Sequence, residues 1–113
     1  MKLIDLLIER QKRQEKYFKN YQYWAKEIKK VAQEFLDEVK VFVFGSILRK
    51  NEIPKDIDIL IISPKLKDPE QKTKLKVKIW QKIGLFSPFE IHLITPEQYK
   101  DWYQYFIKEK IEI

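Results

Sequence analysis

The chain has 113 residues, is 44% hydrophobic and 14% aromatic, and carries 23 Lys and Arg against 17 Asp and Glu, a formal charge of +6. That is enough apolar mass for one core, which predicts a single domain and excludes a disordered tail. Absence of cysteine excludes disulfides, thiolate metal sites and thiol chemistry, and a single histidine, His92, excludes any site built on two imidazoles, so zinc centres and histidine triads are set aside.

Apolar residues at Leu3 and Leu7, then at Tyr17, Tyr21, Trp24, Ile28, Val31 and Phe35, alternate steps of four and three, and no Gly or Pro precedes Gly45. The spacing predicts one long helix with a polar middle over residues 1–38, on the order of 50 Å long at ~1.5 Å per residue. Its first turns would project from the body. Leu3, Ile4, Leu6, Leu7 and Ile8 cluster on that projection, and an exposed apolar cluster calls for a partner, either a second copy or another helical protein. Glu9-Arg10-Gln11-Lys12-Arg13 follows at once with no small-residue cleavage site, and no apolar run reaches the roughly 20 residues of a membrane span, so a soluble cytoplasmic protein is expected.

Val39 to Phe44 is β-branched and aromatic and ends at Gly45-Ser46, a buried strand entering a turn where a short helix begins. Ile57 to Ile62 is a second strand, closed by Ser63-Pro64. From Pro69 to about Ile83, apolar Leu75, Ile79, Trp80 and Ile83 share one side and lysines fill the rest, predicting a solvated helix stopped by Gly84. Phe89 to Ile94 is a third strand. Thr95-Pro96-Glu97 is an N-cap with Pro at the first helical position, opening a last helix to about Lys108. Trp24, Trp80 and Trp102 are read as core. The pattern predicts an α/β fold: a small mixed sheet of about three strands with helices mainly on one face, divided as a helix over 1–38, a central unit over 39–94 and a C-terminal helix over 95–113.

Asp56 and Asp58, two apart at the start of a strand, leave the same face of a sheet. Two carboxylates so close repel unless a divalent cation sits between them, and hard oxygen ligands select Mg²⁺ or Mn²⁺. Glu90 supplies a third carboxylate if its strand neighbours theirs, and His92 shares its face but is read first as a packed or hydrogen-bonded strand residue. Gly45 lets the backbone approach a phosphate and Ser46 adds a donor, so both are read as phosphate binders, with Arg49 a further candidate contact. The lysines from Lys65 to Lys82 are read as a solvated face rather than a nucleic-acid surface. The richness in Lys, Glu and Ile also suits a heat-adapted cytoplasm.

Gly45-Ser46, an intervening loop, Asp56-Ile57-Asp58 on an apolar strand and an acid on the next strand together resemble the minimal nucleotidyltransferases of the DNA polymerase beta-like superfamily. The resemblance runs from about Val39 to Ile94. It implies Mg²⁺- or Mn²⁺-dependent transfer of a nucleoside monophosphate, AMP foremost, from an NTP to an acceptor hydroxyl. Asp56, Asp58 and Glu90 would be the catalytic metal ligands and Gly45 and Ser46 the phosphate contacts. Lys50 stands where the family often has glycine, Lys55 where it often has serine, and Glu90 where aspartate is common; Lys50 and Lys55 would then help neutralise a triphosphate. Small members of this kind are typically paired with a helical HEPN protein in toxin–antitoxin systems, which implies such a partner for the first helix. The alternative implication is a non-catalytic antitoxin or scaffold that keeps the fold.

Overall fold

Residues 2–113 are described by a computed structural model; Met1, expected to open the first helix, lies outside the described residues. In chain order the elements are α1 (Leu3–Lys19), α2 (Tyr21–Leu36), β1 (Lys40–Phe44), β2 (Ile57–Ile62), α3 (Pro69–Ile83), β3 (Phe89–Ile94), α4 (Pro96–Asp101) and β4 (Lys110–Glu112). Three 3-10 turns, at Ser46–Leu48, Pro64–Lys67 and Tyr103–Tyr105, link them. The strands form one mixed sheet in the order β3-β2-β1-β4, with β1 antiparallel to β2 and β4 and with β2 parallel to β3.

Side-chain alternation along the central strands divides the core in two. Val41, Val43, Ile57, Ile59, Ile61, Ile91 and Leu93 point to one face and are covered by Ala25, Ile28, Ala32 and Leu36 of α2 and Leu75, Ile79 and Ile83 of α3. Each large apolar side chain buried there contributes about 1.5–3 kcal/mol. The opposite face carries a smaller cluster of Phe42, Leu60, Ile94 and Ile107, edged by Phe44, Ile62, Tyr99 and Tyr103. Positions 58, 90 and 92 have the parity of this second face. Where its apolar cover stops, β2 and β3 present polar side chains instead.

The N-terminal helical stretch departs from the expected single helix: it is divided at Asn20, whose φ of −118° and ψ of 35° leave the helical region. Backbone bonds still straddle the break, from Asn20 N–H to the Lys16 carbonyl and from Trp24 N–H to the Asn20 carbonyl, both 3.2 Å. The Asn20 side-chain amide also donates to the Lys16 carbonyl at 3.3 Å. An asparagine that offers the backbone a competing partner interrupts a helix without redirecting its apolar stripe. Beyond the break, Tyr17 ties α1 to the body, donating its hydroxyl to the Ile83 carbonyl at 2.6 Å and packing on Trp24 and Phe89. The first turns project as expected, with Leu3 72% and Leu7 55% exposed, in a molecule measuring 48 × 31 × 21 Å.

The C-terminal segment is corrected more deeply. The helix opened by Thr95 ends at Asp101 rather than near Lys108, because Trp102 adopts φ −139° and ψ −64°. The chain then turns, buries Ile107 in the smaller cluster and pairs Lys110-Ile111-Glu112 with Phe44-Val43-Phe42. Strand pairing satisfies an edge of β1 that a helix would have left open, so the small mixed sheet, expected at three strands or slightly more, has four. Trp102 is 64% exposed and Trp80 37%, so only Trp24 of the three tryptophans packs against the core. Among the described residues, no helix is long and apolar enough to cross a membrane.

Candidate functional site

Parallel pairing of β2 with β3 sets Asp58 directly opposite Glu90 and Leu60 opposite His92. His92 leans back along the sheet, and its Nε2 lies 3.2 Å from Asp58 Oδ1 and 3.7 Å from Glu90 Oε1. One ligand atom from each of these three residues falls within 4.8 Å of the other two. The imidazole is held between Phe44, at 5.2 Å between ring centroids, and Tyr103, at 6.1 Å. The 3.2 Å contact is a hydrogen bond between the imidazole and the Asp58 side chain.

Gly45 closes the site from the end of β1. Its φ of 87° and ψ of −157° belong to a region that only glycine occupies readily. A Cβ added there would collide with Asp58 Oδ2 and lie 3.2 Å from Asp58 Cγ, so backbone and carboxylate are in direct contact. Ser46 opens the 3-10 turn that follows, where the first N–H groups of a turn lack partners within it.

Asp56 sits in the bend before β2, half-buried and outside the group formed by Asp58, Glu90 and His92. It still reaches the Glu90 carboxyl. The Glu90 pKa is raised above its ordinary value of 4.5: partial withdrawal from solvent lifts it first, His92 opposes that, and the carboxylates of Asp58 and Asp56 add repulsion, with Asp56 also sharing a hydrogen bond. Two acids converging on one imidazole, with a third beside Glu90, are the electrostatic situation that a divalent cation relieves. The donor set, carboxylate oxygens with one nitrogen, fits such an ion.

Of the remaining candidates, Arg49 is exposed and its guanidinium meets both carboxylate oxygens of Glu52 at 3.3 Å. It also lines, with Phe44, Gly45, Phe106 and Lys108, a cleft of about 310 Å³ beside the Asp58 side. Lys50 and Lys55 are exposed on the loop leading to β2. Sequence reasoning set His92 on the face of Glu90 and read it first as a packed or hydrogen-bonded strand residue, and the structure bonds it to Asp58. Phe106 and Lys108 were missed because a helix was expected where the chain turns.

Residues 25–112 match the family model of the nucleotidyltransferase domain. No curated protein matches the chain. The crystal structure of a candidate nucleotidyltransferase is similar to the fold with a TM-score of 0.67 and 29% identity, over 78% of this chain and 95% of that one. A second, of a candidate nucleotidyltransferase from Sulfolobus solfataricus, gives a TM-score of 0.55 and 25% identity over 93% of this chain and 83% of that one.

Proposed function

The chain belongs to the nucleotidyltransferase domain family, and from that membership we propose that it transfers a nucleoside monophosphate, AMP foremost, from an NTP to an acceptor hydroxyl. The acceptor oxygen bonds to the α-phosphorus, the bond from that phosphorus to the bridging oxygen of the β-phosphate breaks, and pyrophosphate leaves. The observation that carries this reading is the convergence of Asp58, Glu90 and His92 against the Gly45 backbone.

Each residue then has a role. Asp58 and Glu90, with Asp56 beside them, hold the divalent ion; when bound, Mg²⁺ or Mn²⁺ neutralises the phosphates and acidifies the attacking hydroxyl. Glu90, on the strand beside Asp58, is the carboxylate placed to receive the acceptor's proton. Gly45 and Ser46 bring backbone N–H groups and a hydroxyl to the triphosphate, Arg49 adds positive charge in the cleft it lines, and Lys50 and Lys55 add it from the exposed loop before β2. Phosphoryl transfer demands little else of a protein than positioning and charge compensation.

The acceptor is supplied by a second polypeptide. Leu3, Ile4, Leu6, Leu7 and Ile8 are 43–72% exposed on the tip of α1, and Leu85 and Phe86 lie exposed on the loop that borders the same apolar cleft. That surface suits a helical partner, another copy or a HEPN-type protein of a toxin–antitoxin pair. The test is incubation with NTPs labelled at the α-phosphorus in an extract of the source cells. Label is expected to enter macromolecules covalently with the wild-type chain and not with Asp58→Asn; equal labelling by both would contradict the assignment.

A further inference from the structure

We propose that His92 is itself a ligand of the site's cation, through Nε2, and that this nitrogen turns the site from Mg²⁺ towards Mn²⁺. The inference rests on the reading of the carboxylates as a metal site and goes beyond it in ligand identity and ion preference.

Geometry comes first. Adjacent ligands on an octahedral ion with bonds of about 2.1 Å lie about 3.0 Å apart and opposite ones about 4.2 Å. Nε2 stands 3.2 Å from Asp58 Oδ1 and 3.7 Å from Glu90 Oε1, and the three atoms span no more than 4.8 Å. Side chains need therefore move by less than about 1 Å to enclose an ion. Asp56 is outside this group, so the tightest donor set in the cleft is two oxygens and one nitrogen rather than three oxygens.

A hydrogen bond to Asp58 alone does not account for the arrangement, since Glu90 Oε1 also comes within 3.7 Å of the same nitrogen. Nor is the ring free to swing away. Its side chain is 23% exposed, and Phe44 and Tyr103 pack on it from two elements. Fixed orientation of a ligating imidazole is what a metal site requires of its surroundings.

Chemistry sets the ion. Mg²⁺ takes oxygen ligands and keeps its waters, whereas imidazole favours first-row transition ions. Two hard carboxylates beside one imidazole suit Mn²⁺, which accepts both. Nε2 cannot donate to Asp58 and bind an ion at once, so the ring takes its Nδ1–H tautomer in the loaded site.

The experiment is pulsed electron paramagnetic resonance of Mn²⁺ added to the full chain, with parallel Mn²⁺ and Mg²⁺ titrations. Nitrogen modulation of the Mn²⁺ signal that is absent in His92→Gln and in Asp58→Asn is expected. His92→Gln should weaken Mn²⁺ binding by at least about tenfold, the low end of what disturbing a ligand's surroundings costs, and Mg²⁺ binding by less. Because the wild-type spectrum answers alone, a poorly folded variant does not blunt the test. Mn²⁺ bound at Asp58 without nitrogen coupling overturns the role of His92 and leaves the carboxylate site standing. No Mn²⁺ bound to the folded wild-type chain overturns both.

Discussion

Gly45 has two reasons to be glycine, a φ of 87° and a Cα pressed against the Asp58 carboxylate. Gly45→Ala is therefore expected to destabilise the chain by about 1–3 kcal/mol, the range for a residue forced into a sparsely populated backbone region, and to displace Asp58. Urea unfolding and Mn²⁺ titration would check the two losses together. Glu90 carries a different conflict. Its raised pKa means that the folded chain holds the Glu90 proton more tightly than the unfolded one. Stability from this group is thus greatest below the ordinary value of 4.5 and falls as pH rises from there to the folded value, leaving a penalty at neutral pH. Glu90→Gln should raise the melting temperature at pH 7 slightly, for a stability gain of under about 1 kcal/mol because the side chain is largely exposed, while abolishing transfer. An unchanged or lower melting temperature at pH 7 would contradict the repulsion argued here. At this scale Asp56, Asp58 and Glu90 were legible because two-residue spacing fixes a face of a strand. The nearness of His92 to Asp58 was not, since it depends on a diagonal lean between neighbouring strands that no spacing encodes.

Among the elements, those with strong local signals stand where the sequence put them. Asp68 accepts from Glu70 N–H at 2.9 Å, Pro69 opens α3 and Gly84 at φ 102° closes it. Thr95 caps α4, accepting from Gln98 N–H at 3.2 Å while Gln98 Oε1 accepts from Thr95 N–H at 3.0 Å. The capped turn presents Tyr99 and leads to Tyr103, which packs on His92. Thr95→Ala should cost about 0.5–2 kcal/mol, read by urea unfolding, and loosen the imidazole. The two misread elements lacked local signals. Asn20 lies between Tyr17 and Tyr21, which keep the phase of the apolar stripe, and a polar residue off the stripe of a long helix is common. Lys110-Ile111-Glu112 is exposed at all three positions and becomes a strand only because β1 offers an open edge, a partner remote in sequence.

At the scale of the whole molecule, the helices cover one face of the sheet thickly and leave the other thin, so the carboxylates meet solvent on the side away from α2 and α3. The apolar tip of α1 lies apart from this chemistry. Leu6→Glu with Leu7→Glu should abolish self-association or partner binding in sedimentation while leaving Mn²⁺ affinity and the melting temperature unchanged; loss of metal binding in that variant would contradict the separation. The fold class and the shared face of Asp58 and Glu90 were legible in the sequence, whereas a partner for α1 would depend on a second chain. Asp58 and its neighbours are expected to form a metal-dependent nucleotide site, and calorimetric titration of ATP into the chain, with and without Mg²⁺ or Mn²⁺, reads that property without an acceptor. Binding that requires the ion and disappears in Asp58→Asn is predicted; binding that ignores the ion, or survives in Asp58→Asn, would contradict it.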